Sequence, residues 1–292
     1  MKQALQLPLQ LPTSSTLQPL LALHEATTRV PGREFGPFSL TLNAGERVAI
    51  LGPSGAGKST LLRLLAGESL AHGGQVLWRG EPLAALPARM LARQRAVLPQ
   101  QHGVAFGMPV ELVVALGRLS FEPDPSQPGI VADALLAACA SHLTGRRFDT
   151  LSGGEQARAQ LARVMAQLWQ ARGGLLLVDE PLAALDPGLQ LALLDALADF
   201  TRERSLALVA VLHDINQALA GFDRLWLVQD GQVIADLPAG RPALPALEAL
   251  FGIELRCVEL APGRIAVLAQ RARSAQTAAQ AGTQARAQPL SA

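Results

Sequence analysis

Charge is scarce in this chain. Asp, Glu, Lys and Arg make up 17% of its 292 residues, against roughly 25% in an ordinary soluble domain. A formal net charge of +1 leaves no strong field to gather nucleic acid or an anionic lipid surface. Long hydrophobic runs are missing too. No stretch approaches 18 uninterrupted apolar residues, and the longest strand-like run, Leu206 to Leu212, reads as a buried strand and not a membrane span. The two cysteines, Cys139 and Cys257, sit in apolar runs without metal-ligand spacing. They are expected to be reduced core residues of a cytoplasmic protein. The opening residues alternate Leu, Gln and Pro, without the unbroken apolar segment and small-residue cleavage site of a signal peptide. From about Arg271 onward Leu290 is the single large apolar residue, too little to hold a fold. Residues 1–19 are therefore expected to be an extension, 271–292 a disordered tail, and 20–270 the working domain.

Core material is ample, with 49% hydrophobic residues, enough for one large α/β domain or two small ones and for some apolar surface kept for a partner. Strands are expected at Leu20–His24, Phe38–Leu42, Arg47–Leu51, Gln75–Arg79, Arg95–Leu98, Leu175–Val178, Leu206–Leu212 and Arg224–Val228, with helical patterns between them. Such alternation predicts a mainly parallel sheet covered on both faces. Asp230-Gly231 and Pro262-Gly263 signal hairpins. Between Gln100 and Arg163 the pattern turns to helices alone (Val110–Leu116, Val131–His142, Gly153–Trp169), which predicts a helical subdomain at about 101–165 inserted into the α/β core.

Residues 52 to 59 read Gly-Pro-Ser-Gly-Ala-Gly-Lys-Ser, a match to GxxxxGK[ST] between a β-rich run and an amphipathic one. Strand, glycine loop and helix form a phosphate cradle. Gly52, Gly55 and Gly57 let the backbone turn N–H groups inward at the positive end of a helix dipole, along the stretch Pro53, Ser54, Ala56 to Thr60. Lys58 reaches the β- and γ-phosphates, and the Ser59 hydroxyl suits Mg²⁺. Downstream, Leu175 to Val178 delivers Asp179 and Glu180 to the carboxyl end of a strand, where open α/β sheets hold ligands. Alone, such a pair is an ordinary solvated strand end. Beneath a P-loop, Asp179 is expected on Mg²⁺ and Glu180 as general base toward water. Ser152-Gly153-Gly154-Glu155 fits a capping box, yet capping does not require two glycines, which cost about 1 kcal/mol each inside a helix. Asp186-Pro187 reads as an N-cap with proline at the first helical position. His213 ends an apolar strand and Gln100 ends Ala96-Val97-Leu98-Pro99. Each of these is weak by itself.

In order along one chain, these features resemble the nucleotide-binding subunit of an ATP-binding cassette (ABC) transporter, over about residues 20 to 268. Walker A lies at 52 to 59, the Q-loop at Gln100, the signature Leu151-Ser-Gly-Gly-Glu155 next, then Walker B with Glu180, the D-loop Asp186 and the switch His213. The resemblance implies a P-loop NTPase with a RecA-like core, an antiparallel β-subdomain and an inserted helical subdomain. It also implies ATP and Mg²⁺, with Lys58, Gln100, Glu180 and His213 catalytic and Ser59, Gln100 and Asp179 on the metal. Ser152, Gly153, Gly154 and Asp186 would close onto the nucleotide of a second copy, in an isologous homodimer. The other implied partners are an integral-membrane permease dimer and, indirectly, a periplasmic or surface substrate-binding protein, at the cytoplasmic face of the inner membrane. Val104-Ala-Phe106-Gly-Met108-Pro, apolar for a connector, either docks a permease helix or fills the helical subdomain.

The wording Arg95-Ala-Val-Leu-Pro-Gln100, Leu151 to Arg158 and Val211-Leu-His-Asp214 is most similar to the ATPases of bacterial haem importers. Ferric-siderophore and cobalamin importers are the near alternatives. A cassette ATPase acting on DNA or ribosomes, or a regulator that does not turn over, is the alternative of another class. Three positions depart from the family's pattern. Arg29 stands where an aromatic ring usually stacks on adenine, in a chain with no tyrosine; its guanidinium plane is the expected substitute, with weak selectivity for the base. Leu182-Ala-Ala-Leu-Asp186 lacks the usual hydroxyls, and Ala157 replaces a frequent glutamine.

Overall fold

The computed structural model describes residues 18–100, 107–180, 185–261 and 264–271. A six-stranded sheet runs in the order β10-β9-β3-β8-β7-β6. Its strands are β3 (Arg47–Leu51), β6 (Arg95–Leu98), β7 (Leu175–Asp179), β8 (Ala207–Val211), β9 (Arg224–Gln229) and β10 (Gln232–Pro238). β3, β6, β7, β8 and β9 are parallel to their neighbours, and β10 returns antiparallel along β9. Its Asp230-Gly231 turn has φ of 51° and 87°, the doubly positive pair that a tight hairpin needs. A second, antiparallel sheet has the order β2-β1-β4-β5, from β1 (Leu21–Val30), β2 (Arg33–Leu42), β4 (Gly73–Trp78) and β5 (Glu81–Pro82).

The central strands read as continuous apolar runs because both faces are covered. Alternate residues serve two cores. Val48, Ile50, Leu175, Leu177, Val209, Val211 and Trp226 join the antiparallel sheet and α1 (Lys58–Leu65) in one. Ala49, Leu51, Leu176, Val178, Leu208, Ala210 and Leu225 join the other with the remaining large helices. Each fully buried Leu or Val contributes about 1.5–3 kcal/mol of transfer free energy. α2 (Ala88–Gln94) leads into β6. Between β6 and β7 lie α3 (Val110–Ala115), α4 (Gln127–Ala137) and α5 (Gly153–Leu168), which pack on one another. Then come α6 (Pro187–Glu203), α7 (Ile215–Gly221) and α8 (Leu244–Phe251). A terminal hairpin, β11 (Ile253–Ala261) with β12 (Arg264–Arg271), packs against α7 and α8; its turn at Pro262-Gly263 falls outside the described residues.

The cysteines differ from expectation. Cys139 is exposed and Cys257 only half-buried, both as free thiols. Cys139 follows α4 at φ 52°, just past the buried Ala138, and Cys257 lies on a hairpin with no third strand beside it among the described residues. No helix among the described residues is long and apolar enough to cross a membrane.

Candidate active site

The loop from Gly52 to Gly57 leaves β3 at the carboxyl end of the sheet. A Cβ at Gly52 would stand 2.1 Å from the Val228 carbonyl oxygen of β9, so only glycine lets the chain turn there. Gly57, at φ 106°, precedes α1, and a Cβ on it would stand 2.7 Å from the Phe35 ring. The loop is braced from outside. Gly231 N–H donates to the Ala56 carbonyl at 2.9 Å, and Gly36 N–H donates to the Gly231 carbonyl at 2.8 Å. Lys58 is 6% exposed, and its Nζ donates to the carbonyls of Gly52 at 2.9 Å and Pro53 at 3.0 Å.

A cavity of about 400 Å³ opens over this loop. It is lined by Phe35, the stretch Ser54 to Thr60, Gln100, Glu180 and His213. Gln100 arrives from the end of β6, Glu180 from the end of β7 and His213 from the end of β8. The parallel register places these strand ends side by side. Glu180 is the hub. Its Oε2 accepts from Gln100 Nε2 at 2.7 Å, and its Oε1 lies 2.5 Å from His213 Nε2. Glu180 holds φ 50°, a left-handed backbone uncommon outside glycine that costs on the order of 1–3 kcal/mol and gathers at functional sites.

Asp179, one residue earlier, does not line the cavity. It is 6% exposed, and its Oδ1 is buried without a hydrogen-bond partner among the described residues. Burial raises its carboxyl pKa, the hydroxyl of Ser59 bonded to it pulls the value back, and the Glu180 charge raises it further. Burial likewise lowers the Lys58 ammonium, against the attraction of Glu180 and Asp179. A hydroxyl and a carboxylate oxygen left short of partners form an oxygen set that suits Mg²⁺. Among the described residues no group of three or more His, Cys, Asp and Glu gathers to hold a metal alone. A hard cation here would complete its shell with phosphate oxygens and water.

Other predicted residues stand apart from the cavity. Ser152 caps α5 in a closed capping box, its backbone N–H donating to Glu155 at 2.8 Å. Those Ser152 bonds, and Arg146 beside it, depress the Glu155 carboxyl to about 2. Among the described residues, nothing beyond its own helix turn lies within 4 Å of a Cβ built on Gly153, so the surrounding fold does not demand a glycine. Asp186 caps α6, accepting from Leu189 N–H at 3.0 Å; Pro181 to Ala184 fall outside the described residues. Arg29 does not line the cavity. It is exposed at the β1–β2 hairpin, where its guanidinium is held by Glu34 at 3.2 Å. Val104 to Phe106 are outside the described residues, while Met108 packs against the helical core.

Phe35 was not foreseen. It is 7% exposed and roofs Gly57 and Gly231, with the Arg33 guanidinium 5.0 Å from its ring centroid. No local sequence signal marks it, because the contact joins strand β2 to a loop of another sheet.

Comparison with known proteins agrees with this geometry. The family model described as "ABC transporter" matches residues 35–183. The chain is similar to the hemin import ATP-binding protein HmuV of Pseudomonas fluorescens (strain Pf0-1), 45% identical over 220 residues, which is 74% of this chain and 86% of that protein. It is 43% identical over 241 residues to the protein of the same name from Bordetella pertussis (strain Tohama I), covering 80% and 92%. In fold it is similar to an ATP-binding cassette solved as a dimer in a post-hydrolysis state with ADP and Pi, at TM-score 0.66 and 23% identity, covering 76% and 99%. Identity at this level, sustained over most of each relative's length and joined to the family match, makes the chain a member of the ABC transporter family.

Proposed function

We propose that this chain hydrolyses ATP at the P-loop cavity to energise an importer, and that the cargo is haem. The carrying observation is the placement of Glu180, whose carboxylate sits between Gln100 and His213 at the cavity's mouth. Phosphoryl transfer to water needs positioning and charge stabilisation more than covalent help. Glu180 takes the proton of the attacking water, and His213, sharing that carboxylate, reaches the γ-phosphate. Lys58 and the loop's N–H groups hold the phosphates. Ser59, Asp179 and Gln100 would hold Mg²⁺, which when bound neutralises charge developing on the phosphate oxygens.

Ser152, Gly153, Gly154 and Asp186 act from a second copy in this scheme. The open space at Gly153 suits the approach of a foreign phosphate to a capped helix start. A two-fold pair then has two composite sites. The chain sits peripherally at the cytoplasmic face of the inner membrane, on a permease dimer fed by a substrate-binding protein. Haem as cargo rests on the two relatives named for hemin import.

Glu180→Gln tests the chemistry. It should bind ATP, trap a dimer and hydrolyse nothing; normal turnover would remove Glu180 from its role. Growth of a strain lacking the chain tests the cargo. Failure on haem iron, rescued by wild type and not by Glu180→Gln, supports haem, whereas normal growth on haem moves the cargo to a ferric siderophore or cobalamin.

A further inference from the structure

His213 has little to hold it. Its side chain is 54% exposed and touches Glu180, so its aim depends on the backbone that carries it, the junction of β8 and α7. That junction is tied down within a few residues. Asp214 caps α7, accepting from Asn216 N–H at 2.7 Å and Gln217 N–H at 3.2 Å. Gln217 Nε2 donates to Gln190 of α6 at 2.8 Å. The third tie comes from far along the chain. Asn216 Nδ2 donates to the Val267 carbonyl at 3.1 Å, and Val267 N–H donates to Asn216 Oδ1 at 2.7 Å.

The side-chain amide thus pairs with the outer edge of β12 as a neighbouring strand would. Val267 itself is 5% exposed, so the edge is pressed inward where the amide meets it. On its other side the hairpin is held by α8, where Leu255 N–H donates to Glu248 at 2.6 Å. The hairpin is therefore a brace between α8 and the first turn after the switch histidine.

We propose that Asn216 is a positioning residue for ATP hydrolysis, through which the β11–β12 hairpin sets the aim of His213 at Glu180. It touches neither nucleotide nor reacting atoms. The proposal rests on the roles given to Glu180 and His213, and its failure is distinguishable from theirs. A Glu180→Gln chain that hydrolyses normally removes those roles, whereas the variants below can fail with Glu180 and His213 intact.

In the full-length chain Asn216→Ala should lower kcat on the order of tenfold, within the roughly hundredfold that a 1 Å misplacement of reacting groups can cost, and leave KM for ATP within about twofold. Exchange of the Val267 amide hydrogen should quicken in the same variant. Asn216→Asp keeps the acceptor for Val267 N–H and loses the donor, so its kcat should fall between the two. In a His213→Ala background, followed by single-turnover hydrolysis to read slow rates, Asn216→Ala should add no further loss. A wild-type kcat in Asn216→Ala with faster Val267 exchange overturns the proposal. So does an equal fold-loss with and without His213, which would make the clasp a general fastening of the fold.

Discussion

The P-loop end of the sheet and the start of α5 are built on opposite principles. At the carboxyl end of the parallel sheet, polar groups are left wanting: Asp179 Oδ1 is buried without a partner among the described residues, Lys58 is desolvated, and Glu180 holds a left-handed backbone. At the start of α5 the cap itself is closed, with Ser152 and Glu155 exchanging bonds in a box. The first end carries unmet demand that a nucleotide and cation can fill, so its purpose is visible in one chain. The second end is a finished helix cap. Its spare capacity is the open space over Gly153, which acquires a use only when another molecule arrives.

The comparison is broken most severely by Asp179→Asn. Removing the charge should cut Mg²⁺-dependent hydrolysis by on the order of 100-fold or more while leaving the thermal midpoint equal to or above wild type, because burial already favours the neutral form. The sign follows from proton linkage. The folded pKa is raised, so the native state binds more protons, and stability falls as pH rises from the ordinary 3.8 to the raised value. The amide variant should lack that slope across the same window; a marked loss of stability in Asp179→Asn would show that the carboxylate serves the fold.

A smaller effect is expected at the signature. A Cβ at Gly153 meets no described atom beyond its own turn, so Gly153→Leu should change stability by no more than about 0.5 kcal/mol. ATP-dependent pairing and hydrolysis should nevertheless fall on the order of tenfold as the side chain blocks the approach. Unfolding in a melt, or unaltered turnover, would separate this helix start from the nucleotide. The mildest change, Glu155→Gln, should lower the thermal midpoint slightly at pH 7. Its folded pKa is depressed to about 2, so the lost stability is present above the ordinary 4.5 and vanishes as pH falls from there toward 2. The two carboxylates should therefore show opposite slopes in a pH series of melts.

Much of this was legible in the sequence where local pattern and burial agree. Leu175 to Val178 and Leu206 to Leu212 announce buried strands because both faces are covered, and the glycine spacing at 52, 55 and 57 fixes a loop that no other residue could make. The caps at Ser152, Asp186 and Asp214 are equally local. What was hidden depends on distant chain meeting in space. Nothing near Phe35 says that it roofs Gly57, nothing near Glu180 announces φ 50°, and Arg29 carries no sign that Glu34 across the hairpin holds its guanidinium. The bounds of α2 are not legible because only Leu91 of it is buried, leaving no apolar stripe. Cys139 lies exposed between the buried Ala138 and Ala140, and Cys257 sits half-buried on the terminal hairpin, outcomes that depend on which distant elements pack there.

The central strands deal successive residues to two cores, so adjacent positions such as Ala49 and Ile50 answer to opposite halves of the protein. Neither half can melt while the other keeps its floor. Calorimetry of the chain should therefore record one endotherm with matching calorimetric and van't Hoff enthalpies, and a cavity cut into either core should shift that single peak instead of splitting it.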